Sequence, residues 1–218
     1  MKHFHIITLF PDMFTSYVSD SILKRGQEAG LFAIHFYNPR DKSTDKHKSV
    51  DDTPYGGGPG MVMSVQPIVD TVESIFEQYQ ITRNDAHIIV TSPGGELFTN
   101  THARTYMHTH DHIIIICGRY EGIDSRVQQI YQATTLSIGA YILTGGELPA
   151  MVMIDAMTRQ IEGVLGNALS LEEDRISSHN MYTRPEVFVH QGQSYAVPPV
   201  LLSGDHKKID AWRKGERE

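Results

Sequence analysis

Among its 218 residues the chain has one cysteine, Cys117, and one tryptophan, Trp212. A lone cysteine forms no internal disulfide. That excludes a disulfide-stapled secreted scaffold and makes a reducing, cytoplasmic compartment the expectation. Long apolar runs are missing too. Runs such as Ile113–Cys117 fall far short of the roughly 20 residues that span a bilayer, so no membrane partner is expected. The start, Met1-Lys2-His3-Phe4-His5, enters a strand pattern at once and is no signal peptide. Positive charge is in deficit, with a formal net charge of −7. This argues against a nonspecific nucleic-acid binder, because phosphate contacts need local positive charge. Two local basic groups exist, Arg40, Lys42, Lys46 and Lys48 in one stretch and His206, Lys207, Lys208, Arg213, Lys214 and Arg217 in another. Both are interspersed with acids, so an ordinary solvated surface fits them equally well. Finally, Gly56-Gly57-Gly58-Pro59-Gly60 is followed by no Gly-Lys-Ser/Thr and shows no Gly-x-Gly-x-x-Gly spacing, which argues against a nucleotide P-loop. No internal repeat is seen.

What is present is strand and helix in alternation. His3–Leu9 reads as a strand, Phe10-Pro11-Asp12-Met13-Phe14 as a turn into a helix, and Ser21–Ala29 as a helix closed by Gly30. Leu31–Tyr37 is the next strand, and residues 38–60 form a loop long enough to suggest function. Ser64 is placed to cap a helix running to Tyr79, with Pro67 in its first turn. Strands are expected at Ala86–Thr91, Asp111–Cys117 and Thr134–Ile138, and helices at Asn100–His108, Ser125–Tyr131 and Glu147–Ile161. The pattern predicts an α/β fold with a largely parallel sheet and helices on both faces. Residues 163–184 are polar and acidic and read as a linker; Pro185–Glu218 has too few apolar residues for a core of its own.

The stretch from Ile113 to Pro149 organises the rest. An apolar strand ends abruptly at Gly118, and a second apolar segment ends at Gly145-Gly146 before a helix start carrying Glu147 and Pro149. A third glycine turn, Ser92-Pro93-Gly94-Gly95, closes the strand before. Glycine turns at strand ends of one α/β sheet make a crevice lined by backbone, where ligands bind. Other candidates are weaker. Cys117 ends an apolar strand without an activating neighbour and reads better as a small buried hydrophobe than as a nucleophile. His108, His110 and His112 alternate but make a weak metal signal. Asp51-Asp52 fits a magnesium ligand pair or a solvated loop. The charges at Asp155, Arg159, Glu162 and Glu172-Glu173-Asp174-Arg175 fit either a solvated face or an acid–base group on a closing segment.

Six motifs in order carry more. They are Val50-Asp51-Asp52-x-Pro-Tyr-Gly-Gly-Gly-Pro-Gly-Met-Val-Met63, Cys117-Gly-Arg-Tyr-Glu-Gly-Ile-Asp124, Ser137-Ile-Gly-x-Tyr-Ile-Leu-x-Gly-Gly-Glu-Leu-Pro-Ala-Met151, Gly163-Val-Leu-Gly166, Tyr182-Thr-Arg-Pro-Glu186 and Pro198-Pro-Val-Leu-Leu-Ser-Gly204. Together they resemble the bacterial tRNA (guanine-N1)-methyltransferases of the SPOUT class over nearly the whole chain. The resemblance implies an α/β domain (1–162) whose C-terminal half ties a trefoil knot, an exception to the rule against threaded chains. It also implies a linker (163–184) and a partial tRNA-binding segment (185–218), since the family continues into a helical domain that grips the anticodon arm. The implied cofactor is S-adenosylmethionine, held by Ser92, Pro93 and Gly94, by Gly118, Arg119, Tyr120, Glu121 and Gly122, and by Ile138, Gly139, Ala140, Tyr141, Leu143, Gly145, Gly146 and Pro149. The implied reaction is methylation of guanine N1 just 3′ of the tRNA anticodon, with Asp174 as general base and Arg159 stabilising O6. A homodimer sharing its sites is implied, and a magnesium requirement without identifiable ligands.

The chain departs from the family pattern at four places. Thr53 replaces an arginine and Ala140 an aspartate, a glycine replaces glutamine after Ser92-Pro93, and Arg175-Ile176 replaces Ser-Phe after Asp174 in a shorter linker. Two other readings therefore stand beside the first: a non-catalytic relative that binds RNA or cofactor, and a methyltransferase of this class with a different RNA substrate.

Overall fold

The computed structural model describes residues 1–165 and 180–213, and the chain divides into two compact units, Met1–Gly166 and Asn167–Glu218. The first unit is a five-stranded sheet. Its strands are β1 (Lys2–Ile7), β2 (Phe32–Tyr37), β5 (Ala86–Leu97), β6 (His112–Ile116) and β7 (Thr134–Ser137), in the order β2-β1-β6-β5-β7. Every pairing in it is parallel. The remaining strands of this unit, β3 (Asp51–Asp52) and β4 (Val62–Met63), pair with each other and close the glycine-rich stretch as a hairpin.

Side-chain alternation distributes the core over two layers. Ile113 and Ile115 of β6 pack with helices α1 (Asp12–Val18), α2 (Ser21–Glu28), α4 (Asn100–Thr109) and α6 (Glu147–Thr158). Ile114 and Ile116 pack on the other face with α3 (Val65–Tyr79) and α5 (Ser125–Tyr131). A strand buried on both faces has no polar side, which is why Ile113–Ile116 is an unbroken apolar run. The expected α/β sheet with helices on both faces is what the structure has.

Three local expectations need correction. Ser64 precedes α3 but makes no side-chain cap. Helix α6 ends at Thr158, three residues before the expected Ile161. The Ser92–Gly95 segment does not end a strand: β5 continues to Leu97, and Thr91 and Glu96 both pair with Leu136 of β7. The residues between them bulge out and the strand then returns to register. The return depends on Gly95, where a Cβ would lie 2.6 Å from the Thr135 carbonyl carbon.

The second unit, over its described residues, holds a hairpin of β8 (Val187–His190) and β9 (Gln193–Ala196), then α7 (Pro199–Leu202) and α8 (His206–Arg213). Only Ile209 is buried among its described residues, in keeping with a segment too poor in apolar residues for its own core. The expected linker falls largely on residues 166–179, outside the described residues.

The starting edge of the main sheet carries a histidine cluster. His3 and His5 of β1, His35 of β2 and His112 of β6 stack under Tyr79 of α3, with His5 Nε2 3.0 Å from His112 Nδ1 and His3 Nδ1 3.2 Å from His35 Nε2. His5 is fully buried. Burial first, then the neighbouring imidazoles, push it down to about 3; His3, His35 and His112 are lowered by the same causes. Asp111 and Asp85 pull the other way on His112, and Lys2 pairs with Asp111. A histidine whose folded value lies below its ordinary 6.5 binds fewer protons folded than unfolded. Its contribution is therefore complete above the ordinary value and is lost as pH falls below it, by about 1.4 kcal/mol per unit for His5 until its folded value is reached. The melting temperature is expected to drop between pH 7 and pH 5, and thermal melts of wild type and His5→Gln across that range should show a flatter dependence in the variant.

Candidate functional site

The carboxyl ends of the parallel strands open into a cavity of about 410 Å³, within the size of small-molecule sites. Three loops wall it: the bulge after Val90, the segment following β6 from Gly118, and the segment between β7 and α6. Of the cofactor residues expected above, Ser92, Pro93, Gly118, Arg119, Tyr120, Glu121, Gly122, Ile138, Tyr141, Leu143, Gly145, Gly146 and Pro149 line it. Gly94, Gly139 and Ala140 do not. Gly94 faces open space, Ala140 is exposed, and Gly139 packs against the Tyr141 ring, which a Cβ there would meet at 2.3 Å.

Close backbone approach holds the loops together. Thr91, buried, donates its hydroxyl to the Ile116 carbonyl (3.2 Å) and accepts from the Gly118 amide (3.1 Å). The Gly146 amide donates to the Gly118 carbonyl at 2.8 Å. A Cβ on Gly146 would sit 1.9 Å from Thr91 Oγ1, so the three walls meet at a point that admits only glycine. Tyr120 lies in the left-handed region, φ 58°. That is an outlier for a bulky residue, and such strain concentrates at ligand sites.

The glycine-rich hairpin stands against the same loop. The Glu121 amide donates to the Met61 carbonyl at 2.9 Å, and the Met63 amide to the Gly122 carbonyl at 2.9 Å. Gly60 lies so close to the Glu121 side chain that a Cβ would be 2.5 Å from its Oε1. The end of the long loop read from sequence, Gly60, and the following β4 thus back the loop after β6.

Two residues that sequence reasoning did not single out organise the wall. Glu147, treated above only as an acid in the first helical turn, is 1% exposed and paired with Arg119, Oε2 to Nη2 at 2.9 Å. Thr8 donates its hydroxyl to Glu147 Oε1 at 2.8 Å. An acid directly after a double glycine and ahead of an apolar helix was the available signal. Its partners lie far away in sequence, and that concealed it.

Of the expected catalytic pair, Asp174 lies outside the described residues. Arg159 sits at the C-cap of α6 and does not line the cavity. The cavity abuts the other end of that helix. At about 1.5 Å per residue the two ends are roughly 18 Å apart. Cys117 is fully buried and its thiol is pushed well up, first by burial and then by Glu147, as suits a small hydrophobe rather than a nucleophile. Among the described residues no group of three or more His, Cys, Asp or Glu side chains is placed to hold a metal ion, His108, His110 and His112 included. Among them, too, no helix is long and apolar enough to cross a membrane.

Comparison with known proteins adds sequence kinship to this geometry. The family model of tRNA (Guanine-1)-methyltransferase TrmD matches residues 1–218. The tRNA (guanine-N(1)-)-methyltransferase of Clostridioides difficile (strain 630) is 48% identical over 217 residues, covering 98% of this chain and 91% of the relative. That of Thermomicrobium roseum is 50% identical over 214 residues, 97% of this chain and 77% of the relative. The Bacillus cereus (strain AH820) protein of the same name is 45% identical, over 97% and 85% of the two chains.

Proposed function

We propose, from the premise that the chain belongs to the tRNA (guanine-1)-methyltransferase family, that it methylates N1 of the guanosine just 3′ of the tRNA anticodon, in the cytoplasm, with S-adenosylmethionine as donor. The observation that carries this reading is the cavity itself. It is walled by the glycine-containing loops at the carboxyl side of the sheet, and those loops belong to a chain nearly half identical to relatives named tRNA (guanine-N(1)-)-methyltransferase.

The residues present fit the donor. The glycine contacts at Gly118 and Gly146 bring bare backbone to the cavity, where amides and carbonyls can meet the edges of an adenosine. Glu121 supplies a carboxylate in the wall to meet the positive charge of the methionine end. When bound, S-adenosylmethionine supplies a methyl already activated by its sulfonium, so alignment is the protein's main task. Guanine N1 carries a proton and is a poor nucleophile until the proton leaves. Asp174 is the base that takes it, and the guanidinium of Arg159 stabilises the negative charge that spreads to O6. The base must leave its stack to reach an enclosed methyl. Among the described residues no group of three or more His, Cys, Asp or Glu side chains matches a magnesium site.

The reading includes a homodimer. Arg159 is at the far end of α6 from the cavity, so one copy does not bring the two together. Leu148 and Val152, one helical turn apart on α6, leave about half their surface exposed. Beside them α1 exposes Met13 and Tyr17, the latter bonded to Asp155 of α6 at 2.6 Å. Such an apolar strip suits a self-complementary interface. Antiparallel pairing of two α6 helices centred on Val152 brings Arg159 of one copy level with Gly145 of the other.

The test is methyl transfer from labelled S-adenosylmethionine to an unmodified tRNA transcript with guanosine after the anticodon, against a transcript with adenosine there. Label on the first alone is the expected result. Label on neither, with cofactor binding intact, would sink the activity.

A further inference from the structure

We propose that Glu147 is a positioning residue for the cofactor cavity, acting through Arg119 and making no contact of its own with the donor. The inference rests on the reading of this cavity as the S-adenosylmethionine site. Glu147 is buried behind the wall and does not line the cavity, whereas Arg119, Thr144 and Gly145 do. Its Oε1 accepts from Thr8 Oγ1 (2.8 Å) and from Arg119 Nε (3.1 Å). Its Oε2 lies 2.9 Å from Arg119 Nη2, off the angle of a full hydrogen bond, so charge attraction holds that side.

Each partner belongs to a different segment. Thr8 follows β1 and also accepts the Phe10 amide at 3.0 Å, setting the turn into α1. Arg119 leads the loop after β6. Its Nη1 donates to the Thr144 carbonyl at 3.2 Å, and its guanidinium lies 4.4 Å over the Phe10 ring. One carboxylate therefore gathers three chain segments and fixes where the Thr144–Gly145 wall stands against the Arg119–Gly122 wall. The fit is tight: a Cβ on Gly145 would meet Arg119 Nε at 2.4 Å and Glu147 Oε2 at 2.6 Å.

A buried ion pair is a poor way to gain stability, because well-packed apolar residues often serve as well. What the pair supplies is direction. The guanidinium is planar, with Nε bonded to Oε1 and Nη2 drawn toward Oε2, so its plane is set; Nη1 is then aimed at the Thr144 carbonyl, while Nη2 also donates to Met13 Sδ at 3.2 Å. A charge left without its partner in this setting bears the cost of an unmet buried donor, and the wall that Arg119 anchors at Thr144 loses that anchor.

The test is the affinity of purified Glu147→Gln for S-adenosylmethionine by calorimetry, with steady-state kinetics on the tRNA transcript and a thermal melt. Hydrogen bonds to charged groups correspond to about tenfold to hundredfold in affinity. The expected result is a loss of that order in affinity and a matching rise in KM for the cofactor. KM for tRNA and kcat at saturating cofactor should stay near wild type, as removal of binding common to ground and transition states requires. Glu147→Asp, which keeps the charge, should recover part of the loss, and Arg119→Lys, which keeps charge without the fork, should reproduce it. A Glu147→Gln variant that melts lower but binds cofactor as wild type does would make the pair merely structural and overturn the proposal. So would a loss confined to kcat. If Glu147→Gln does not fold, the Asp and Lys variants decide by the same readouts. A wild-type protein that binds no S-adenosylmethionine would instead overturn the reading of the cavity on which the proposal stands.

Discussion

Asp174→Asn is expected to slow methyl transfer by about 10²–10⁴-fold, the contribution of a positioned general base, while cofactor affinity stays within a few-fold of wild type. The reason lies in the acceptor. At neutral pH guanine N1 holds its proton, and a methyl cannot be accepted while the lone pair is engaged. Asparagine keeps the size of the side chain and its hydrogen-bonding oxygen but cannot take a proton, so the chemical step alone should suffer. Arg159→Ala removes the cation proposed to face O6 and is expected to cost about 10²–10³-fold by the same measurement. The two effects should not multiply. Deprotonation at N1 and charge at O6 are one event, and the double variant should be little slower than the worse single one. Single-turnover transfer from labelled donor, at saturating enzyme, separates this step from product release. An Asp174→Asn enzyme as fast as wild type would remove the base assignment. Arg175 is the next residue in sequence, and a neighbouring guanidinium favours the charged carboxylate and weakens it as a base. Arg175→Ser is therefore a useful companion variant, expected to move the acid limb of the pH–rate profile upward.

The parts of this molecule that were legible from sequence are those written in local period. The run Ile113–Ile116 reads as a buried strand and Gly118 marks its end, as found; Gly145-Gly146 instead stand before α6, because β7 has already stopped at Ser137. These features located the cavity without any relative to compare. The bulge at Ser92–Gly95 reads from sequence as a strand end because proline and glycine punctuate both alike; the pairing of Thr91 and Glu96 with a single Leu136 is a tertiary fact. Glu147 was hidden for a related reason. An acid in a first helical turn has a sufficient local explanation in the helix dipole, and its actual partners, Thr8 and Arg119, are 139 and 28 positions away. The histidine cluster likewise draws on three strands that only the sheet order brings together. Roles for Asp174 and Arg159, and the knot, came from resemblance alone. No periodicity records which proton a carboxylate takes or which loop a chain passes through.

Mixing two inactive variants is expected to restore activity. In the proposed dimer each site joins the cavity of one copy to Arg159 of the other. Gly146→Val fills the point where a side chain would overlap Thr91 Oγ1, so it should close the cavity and abolish cofactor binding. Arg159→Ala leaves the cavity open and lacks the O6 cation. Neither homodimer should turn over at more than a small fraction of wild type. In a mixed dimer, one site combines both defects and the other combines neither. Random exchange makes half the dimers mixed, each with one intact site of two, so roughly a quarter of wild-type activity should return. If Arg159 served the cavity of its own copy, every site in the mixture would carry one defect and nothing would return. The interface can be tested separately with Leu148→Glu and Val152→Glu combined. Charges of one sign would then face each other across the two-fold axis in an apolar strip, and the protein should sediment as a monomer. That monomer should still bind cofactor, because its own cavity walls are intact, and it should transfer no methyl. A monomer that remained active would place the whole site within one chain and end the shared-site reading, whatever its effect on stability.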